Sequence, residues 1–190
     1  MAKVAFHFDY RSPYSYLAMT QIADLELTLH PFDVLDVMKR VGNSPTTIIC
    51  KVKGEYVGKD LARWARKYGV PLSRNPKVRE LDGRRLARAT LAIPDGPERR
   101  KAVEAMFKAM WVDHPPLDTA ADIAALFATA GVTCDADQID SDAMEAKLDA
   151  ANATAAERGV FGSPSFFVGD EMFFGNDRLE FLRDALAVAT

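Results

Sequence analysis

Near the start of the chain Val4, Phe6 and Phe8 alternate with Lys3, Ala5 and His7, the period-two pattern of a strand with two distinct faces. At Ser12-Pro13 the period changes. Ser12 is a residue type that caps helices and Pro13 suits the first helical position, so a helix is predicted from there to about Asp24 or Leu25. Leu27 through Val34 predicts a second strand, parallel to the first, which completes a β-α-β crossover. Pro31 inside it argues for an edge or a bulge. From about Leu35 to Arg158 the strand pattern nearly vanishes. Helical patterns replace it at Lys59–Tyr68, Leu81–Ile93, Pro97–Val112, Ala120–Ala130 and Ser141–Arg158, punctuated by Gly69-Val70-Pro71, Pro94-Asp95-Gly96-Pro97 and Gly131. On the Pro97 helix Val103, Met106, Phe107, Met110 and Trp111 form one stripe, which predicts core. Two short apolar runs around Gly169-Asp170 then predict a hairpin, and Asn176-Asp177 with Leu179, Phe181, Leu182 and Leu186 a closing helix.

The β-α-β beginning and the β-β-α end are separated by more than a hundred residues, as the numbering shows. Both must enter one sheet, so a site where they meet is assembled from loops distant in sequence.

With 190 residues and 48% hydrophobic content, the chain is long enough for a substantial core and reads as soluble and globular. Its 24 basic and 27 acidic residues leave a net charge of −3, which gives no electrostatic case for nucleic acid. No apolar run is long enough to span a bilayer and the N-terminal residues show no secretory pattern, so no membrane partner is expected. Cys50 and Cys134 stand in no metal-ligand or redox spacing. Two unpaired thiols suit a reducing compartment, and a cytoplasmic location is expected. His7, His30 and His114 share no metal spacing, and structural roles are expected of them.

The chemistry concentrates at the two ends. Ser12-Pro13-Tyr14-Ser15 has the spacing of a Cys-x-x-Cys motif at a strand-to-helix junction, without the sulfur. Such a site cannot exchange a disulfide of its own, yet the helix start still favours an anion brought to it. At the other end Ser163-Pro164 precedes a strand, where the proline can be cis and leave the backbone of residue 163 open to a partner. Together Phe8 to Ala18, Gly42-Asn43, Val160 to Pro164 and Gly175 to Leu179 resemble the DsbA-related, kappa-class group of thioredoxin-like proteins. The likeness is greatest to the 2-hydroxychromene-2-carboxylate isomerases and covers essentially the whole chain.

That resemblance implies an α/β thioredoxin-like fold, with residues 1–34 and 159–190 forming the thioredoxin-like domain and residues 35–158 a helical insertion. It implies glutathione as cofactor, with its sulfur at Ser12, its cysteinyl backbone against Ser163 and Pro164, and its γ-glutamyl end at Asn176 and Asp177. Asn43 matches a family asparagine near the thiol, and Asp60 is a further candidate for glutathione. Arg11, Lys39 and Asn43 are candidates for a small aromatic carboxylate substrate. The implied reaction interconverts 2-hydroxychromene-2-carboxylate and trans-o-hydroxybenzylidenepyruvate in naphthalene-type degradation, on a homodimer. A kappa-type transferase or peroxidase and a non-catalytic glutathione-binding protein are the alternatives. Two departures from the family pattern stand out: Ser163 replaces a common aliphatic residue, and Arg11 brings a charge beside Ser12.

Overall fold

The structure, a computed structural model, describes residues 3–189. Four strands form one sheet in the order β2-β1-β3-β4, with β1 Val4–Phe8, β2 Leu27–Pro31, β3 Ser165–Val168 and β4 Glu171–Phe174. β1 runs parallel to β2 and antiparallel to β3, which pairs antiparallel with β4. The expected crossover and hairpin are both present, and β2 is an edge strand, as Pro31 suggests. The closing half packs beside β1, so Phe6 faces Phe166 across the register and their rings stack at 4.9 Å.

Period-two alternation gives the sheet two apolar faces. Val4, Phe6, Phe8, Leu29, Phe166, Val168 and Phe173 join the main core, with Leu17 and Ala18 of helix α1, Pro13–Met19. Phe167 joins a second cluster with Phe32, Val37 and Ala155. The main core continues without a break into the helical segment. Val103, Met106, Phe107, Met110 and Trp111 are all buried in it, as their stripe predicts.

Ten helices are described. After α1 come α2 Val34–Arg40, α3 Thr46–Ile49, α4 Lys51–Tyr68, α5 Gly83–Ala92, α6 Pro97–Lys108, α7 Ala120–Thr129, α8 Ala136–Ile139, α9 Asp142–Glu157 and α10 Leu179–Val188. Several bounds differ from the sequence pattern. α1 stops at Met19, where the Thr20 hydroxyl turns back on the Leu17 carbonyl at 2.7 Å. Val34 begins α2 instead of ending β2, because Asp33 caps the amide of Leu35. α4 starts eight residues before Lys59. Its first turns carry Gly54 and Gly58 and leave Val52 and Tyr56 exposed, so no apolar stripe announces them.

α6 passes into a π-helical turn, Ala109–Asp113, which ends at His114 in the left-handed region. Within that turn the buried Trp111 indole donates to the Tyr10 carbonyl at 2.8 Å. The helical segment thereby grips the loop that leads into Ser12.

Candidate active site

Ser12 caps α1 with extended backbone and accepts the Ser15 amide at 3.3 Å. Its own hydroxyl donates to the Ser163 carbonyl at 3.0 Å. The Ser163–Pro164 bond is cis, and the Ser163 side chain turns inward: its Oγ accepts the Asp9 amide at 2.8 Å and pairs with the Ser15 hydroxyl at 2.7 Å. The two ends expected to converge do so here. Ser15 is fully buried, and its bond to Ser163 supplies the partner a buried hydroxyl requires. Ser12 is half-buried, and Tyr14 N–H belongs to the first-turn amides that a helix cannot satisfy itself. The Ser12 hydroxyl, the start of α1 and a cis-proline loop therefore share one mouth.

Arg11 does not reach out from this mouth. Its guanidinium binds Asp9 at 2.7 Å and Asp33 at 2.8 Å, and it packs over Gly83, where any Cβ would collide with it. Burial disfavours its charge, but the two carboxylates outweigh this and hold its pKa up. The expectation that Arg11 meets a substrate carboxylate thus encounters two carboxylates of the protein itself. The alternative recognised from its position, added positive charge beside Ser12, is largely neutralised by the same pairs.

Asn43 follows Gly42, whose φ of +71° ends α2 in the left-handed conformation that glycine tolerates. Its side-chain amide donates to the Phe161 carbonyl at 2.8 Å and its oxygen accepts the Ser44 amide. Asn43 is therefore attached to the proline-bearing loop, two residues before Ser163. Lys39 lies in the last turn of α2 and is exposed.

Asp60 sits in the third turn of α4, not at a helix start as the shorter predicted helix implied. It accepts the Tyr14 hydroxyl at 2.9 Å and the Tyr56 hydroxyl at 3.5 Å. Burial first, then the bond and charge of Asp60, raise the Tyr14 pKa, and Tyr56 and Asp177 add to the rise. The turn that carries Asp177 packs against α1. Asn176 and Asp177 lie in a 3-10 turn, Asn176–Arg178, that precedes α10, a correction to the expected helix start. Asn176 is buried, and its carbonyl accepts the Tyr68 hydroxyl at 2.8 Å. Asp177 is exposed and pairs with its neighbour Arg178.

Asp9, Tyr14, Ser15 and Tyr68 are bonded to candidate residues, although the sequence assigns none of them a binding role. Ser15 carries a usable signal, its fixed offset from Ser12; Tyr68 carries none. His7 is buried on β1 with both ring nitrogens unpartnered, stacked at 4.6 Å on His30. Burial, then the neighbouring His30 and Arg158 charges, lowers its pKa to about 3. Cys50 and Cys134 are both free thiols. Among the described residues no group of acidic, cysteine or histidine side chains could hold a metal, and no helix is long and apolar enough to cross a membrane.

Comparison with known proteins agrees with this geometry. The family described as "DSBA-like thioredoxin domain" matches residues 3–187. A 2-hydroxychromene-2-carboxylate isomerase of Pseudomonas putida is 33% identical, covering 96% of this chain and 93% of its own. A solved 2-hydroxychromene-2-carboxylate isomerase superimposes with a TM-score of 0.87 at 31% identity, over 98% of this chain and 95% of that one. A glutathione S-transferase kappa 1 of Caenorhabditis elegans is 25% identical over 98% of this chain and 91% of its own.

Proposed function

The chain belongs to the DsbA-like thioredoxin family and, within it, to the 2-hydroxychromene-2-carboxylate isomerases, and from that premise we propose an enzyme that interconverts 2-hydroxychromene-2-carboxylate and trans-o-hydroxybenzylidenepyruvate with glutathione as cofactor. The observation that carries this reading is the meeting of Ser12 with Ser163 at the mouth of α1, in a chain that matches the isomerases along nearly its whole length. With no sulfur at positions 12 and 15, disulfide exchange by the protein alone is disfavoured.

The donor set fits a thiol tripeptide. The Ser12 hydroxyl, once turned from the Ser163 carbonyl, and the start of α1 would stabilise an anion, and a thiolate is the anion the Ser-x-x-Ser spacing suits. Ser163 would present its backbone to an extended peptide in the manner of strand addition. Asp177, exposed on the turn before α10, would accept from an ammonium group, and Asn176, fixed by Tyr68, holds that turn in place. Held by Ser12, Ser163, Pro164 and Asp177, glutathione would supply a nucleophilic thiol, the chemistry that makes rotation about a conjugated double bond accessible. Ser12 orients and stabilises; it is not itself the nucleophile, because no histidine or carboxylate is bonded to its hydroxyl among the described residues.

Asn43, which holds the proline-bearing loop, would meet the aromatic acid, and Lys39 of α2 would add positive charge. We assign the enzyme to the cytoplasm, where the free Cys50 and Cys134 would remain reduced, and to naphthalene-type aromatic degradation. A homodimer is supported by Ile48, Ile49, Val52 and Tyr56, which expose 57–74% of their surface along α3 and the start of α4.

The test follows the absorbance of 2-hydroxychromene-2-carboxylate with dialysed protein, with and without added glutathione. Conversion that requires glutathione without consuming it supports the isomerase. Consumption of glutathione would favour the kappa-type transferase, and binding without conversion a non-catalytic glutathione protein.

A further inference from the structure

Ser12 has one hydroxyl proton, and that proton is donated to the Ser163 carbonyl. A hydroxyl can donate only once. To stabilise a sulfur anion, Ser12 must therefore withdraw from Ser163 and leave a part-buried carbonyl without its donor, which is unfavourable unless another donor replaces it.

The carbonyl cannot simply follow. Ser163 is held by the Asp9 amide and the Ser15 hydroxyl on its side chain. The residues around it are held too, by Asn43 on the Phe161 carbonyl and by the Gly175 amide on the Pro164 carbonyl. With the loop that carries the acceptor tied by these four hydrogen bonds, the adjustable part is the rotation of the Ser12 hydroxyl.

We propose that the Ser163 carbonyl is a parking acceptor for the Ser12 proton, released to sulfur only when the incoming thiol carries an amide N–H that takes over that carbonyl. This rests on the glutathione reading above, the amide being the one between its γ-glutamyl and cysteinyl residues. Recognition of the peptide and activation of the sulfur become one event. The site then selects thiols acylated on the cysteine nitrogen and leaves simple alkyl thiols unactivated, even where they enter. Ser163 contributes by holding its carbonyl still, a positioning role for which its hydroxyl is suited and an aliphatic side chain is not.

The experiment titrates the thiolate absorbance of the bound ligand against pH, for glutathione and for an analogue whose γ-glutamyl–cysteinyl amide is an ester. Both are measured on the wild-type chain and on Ser12→Ala, with circular dichroism checking the fold of the variant. With glutathione, Ser12→Ala is expected to raise the bound thiol pKa by about one unit. With the ester analogue, the two proteins should agree within a few tenths of a unit. On wild type alone, the ester's thiol should titrate about one unit above that of glutathione, a comparison that stands even where the variant fails to fold. An equal Ser12 effect for both ligands, or equal thiol pKa values on wild type, overturns the exchange while leaving glutathione binding intact. Absence of saturable glutathione binding by calorimetry overturns the cofactor reading and the exchange with it.

Discussion

The hydroxyls of Ser15 and Ser163 meet at 2.7 Å across a sequence separation of 148 residues. Ser15 is completely buried and Ser163 also receives the Asp9 amide, so each depends on the other for its hydrogen bonding. Ser163→Ala should cost about 1–3 kcal/mol, the penalty for leaving buried polar groups unpaired. Ser15→Ala added to it should cost less than Ser15→Ala alone. Denaturant unfolding of the four proteins in the double-mutant cycle checks this, with a coupling of about 1 kcal/mol expected.

Ser12→Ala removes the cap of α1 and the donor at its mouth. The cap is worth about 1 kcal/mol, so thermal unfolding should shift by only a few degrees. Loss of a single positioned donor to a developing anion lowers turnover by about a hundredfold or more. Steady-state kinetics beside a melting curve separates the two, and full activity would remove Ser12 from the reaction.

Asp177→Asn keeps the shape of the turn before α10 and removes its charge. Asp177 is exposed and bonded to Arg178, so folding should be unaffected. Glutathione affinity should fall about tenfold, the scale of one lost charge-assisted bond. Calorimetric titration measures it, and an unchanged dissociation constant would place the γ-glutamyl end elsewhere.

His7 gives the fold a dependence on pH. Its pKa is lowered to about 3 in the folded chain, by burial and then by His30 and Arg158, whereas the unfolded residue titrates near 6.5. Between these values the unfolded chain binds the extra proton. Its contribution is therefore fully present above about pH 6.5 and is lost progressively as pH falls toward 3. His7→Phe, which keeps a ring beside Phe32 and Phe167, should flatten the fall in melting temperature between pH 7 and pH 5. An unchanged slope would assign the acid sensitivity to other groups.

The strands and the closing hairpin were legible because period-two alternation and turn residues operate over a few neighbouring positions. So was the Trp111 stripe, since one face of α6 and its π-helical extension is dry throughout. Asp60 was legible as a residue but misplaced within its helix: glycines at 54 and 58 and an exposed apolar face hide the first turns of α4. Arg11 illustrates the harder limit. Its position beside Ser12 is written in the chain, but Asp33, which captures it, arrives through the fold from 22 residues away. Partnerships of this kind, like that of Tyr68 with Asn176, depend on tertiary placement and carry no local signature.

The indole of Trp111, held against the Tyr10 carbonyl two residues before Ser12, ties the strand-to-helix junction to a turn in the middle of the helical segment. Since Phe8 and Tyr10 also pack on Phe107, sheet and helices have no seam between them along which one could come apart first. The helical segment is therefore part of the support of the candidate site, and truncating it would abolish the arrangement of Ser12 and Ser163 along with the fold. Loss of activity and loss of structure on heating should accordingly occur as one transition.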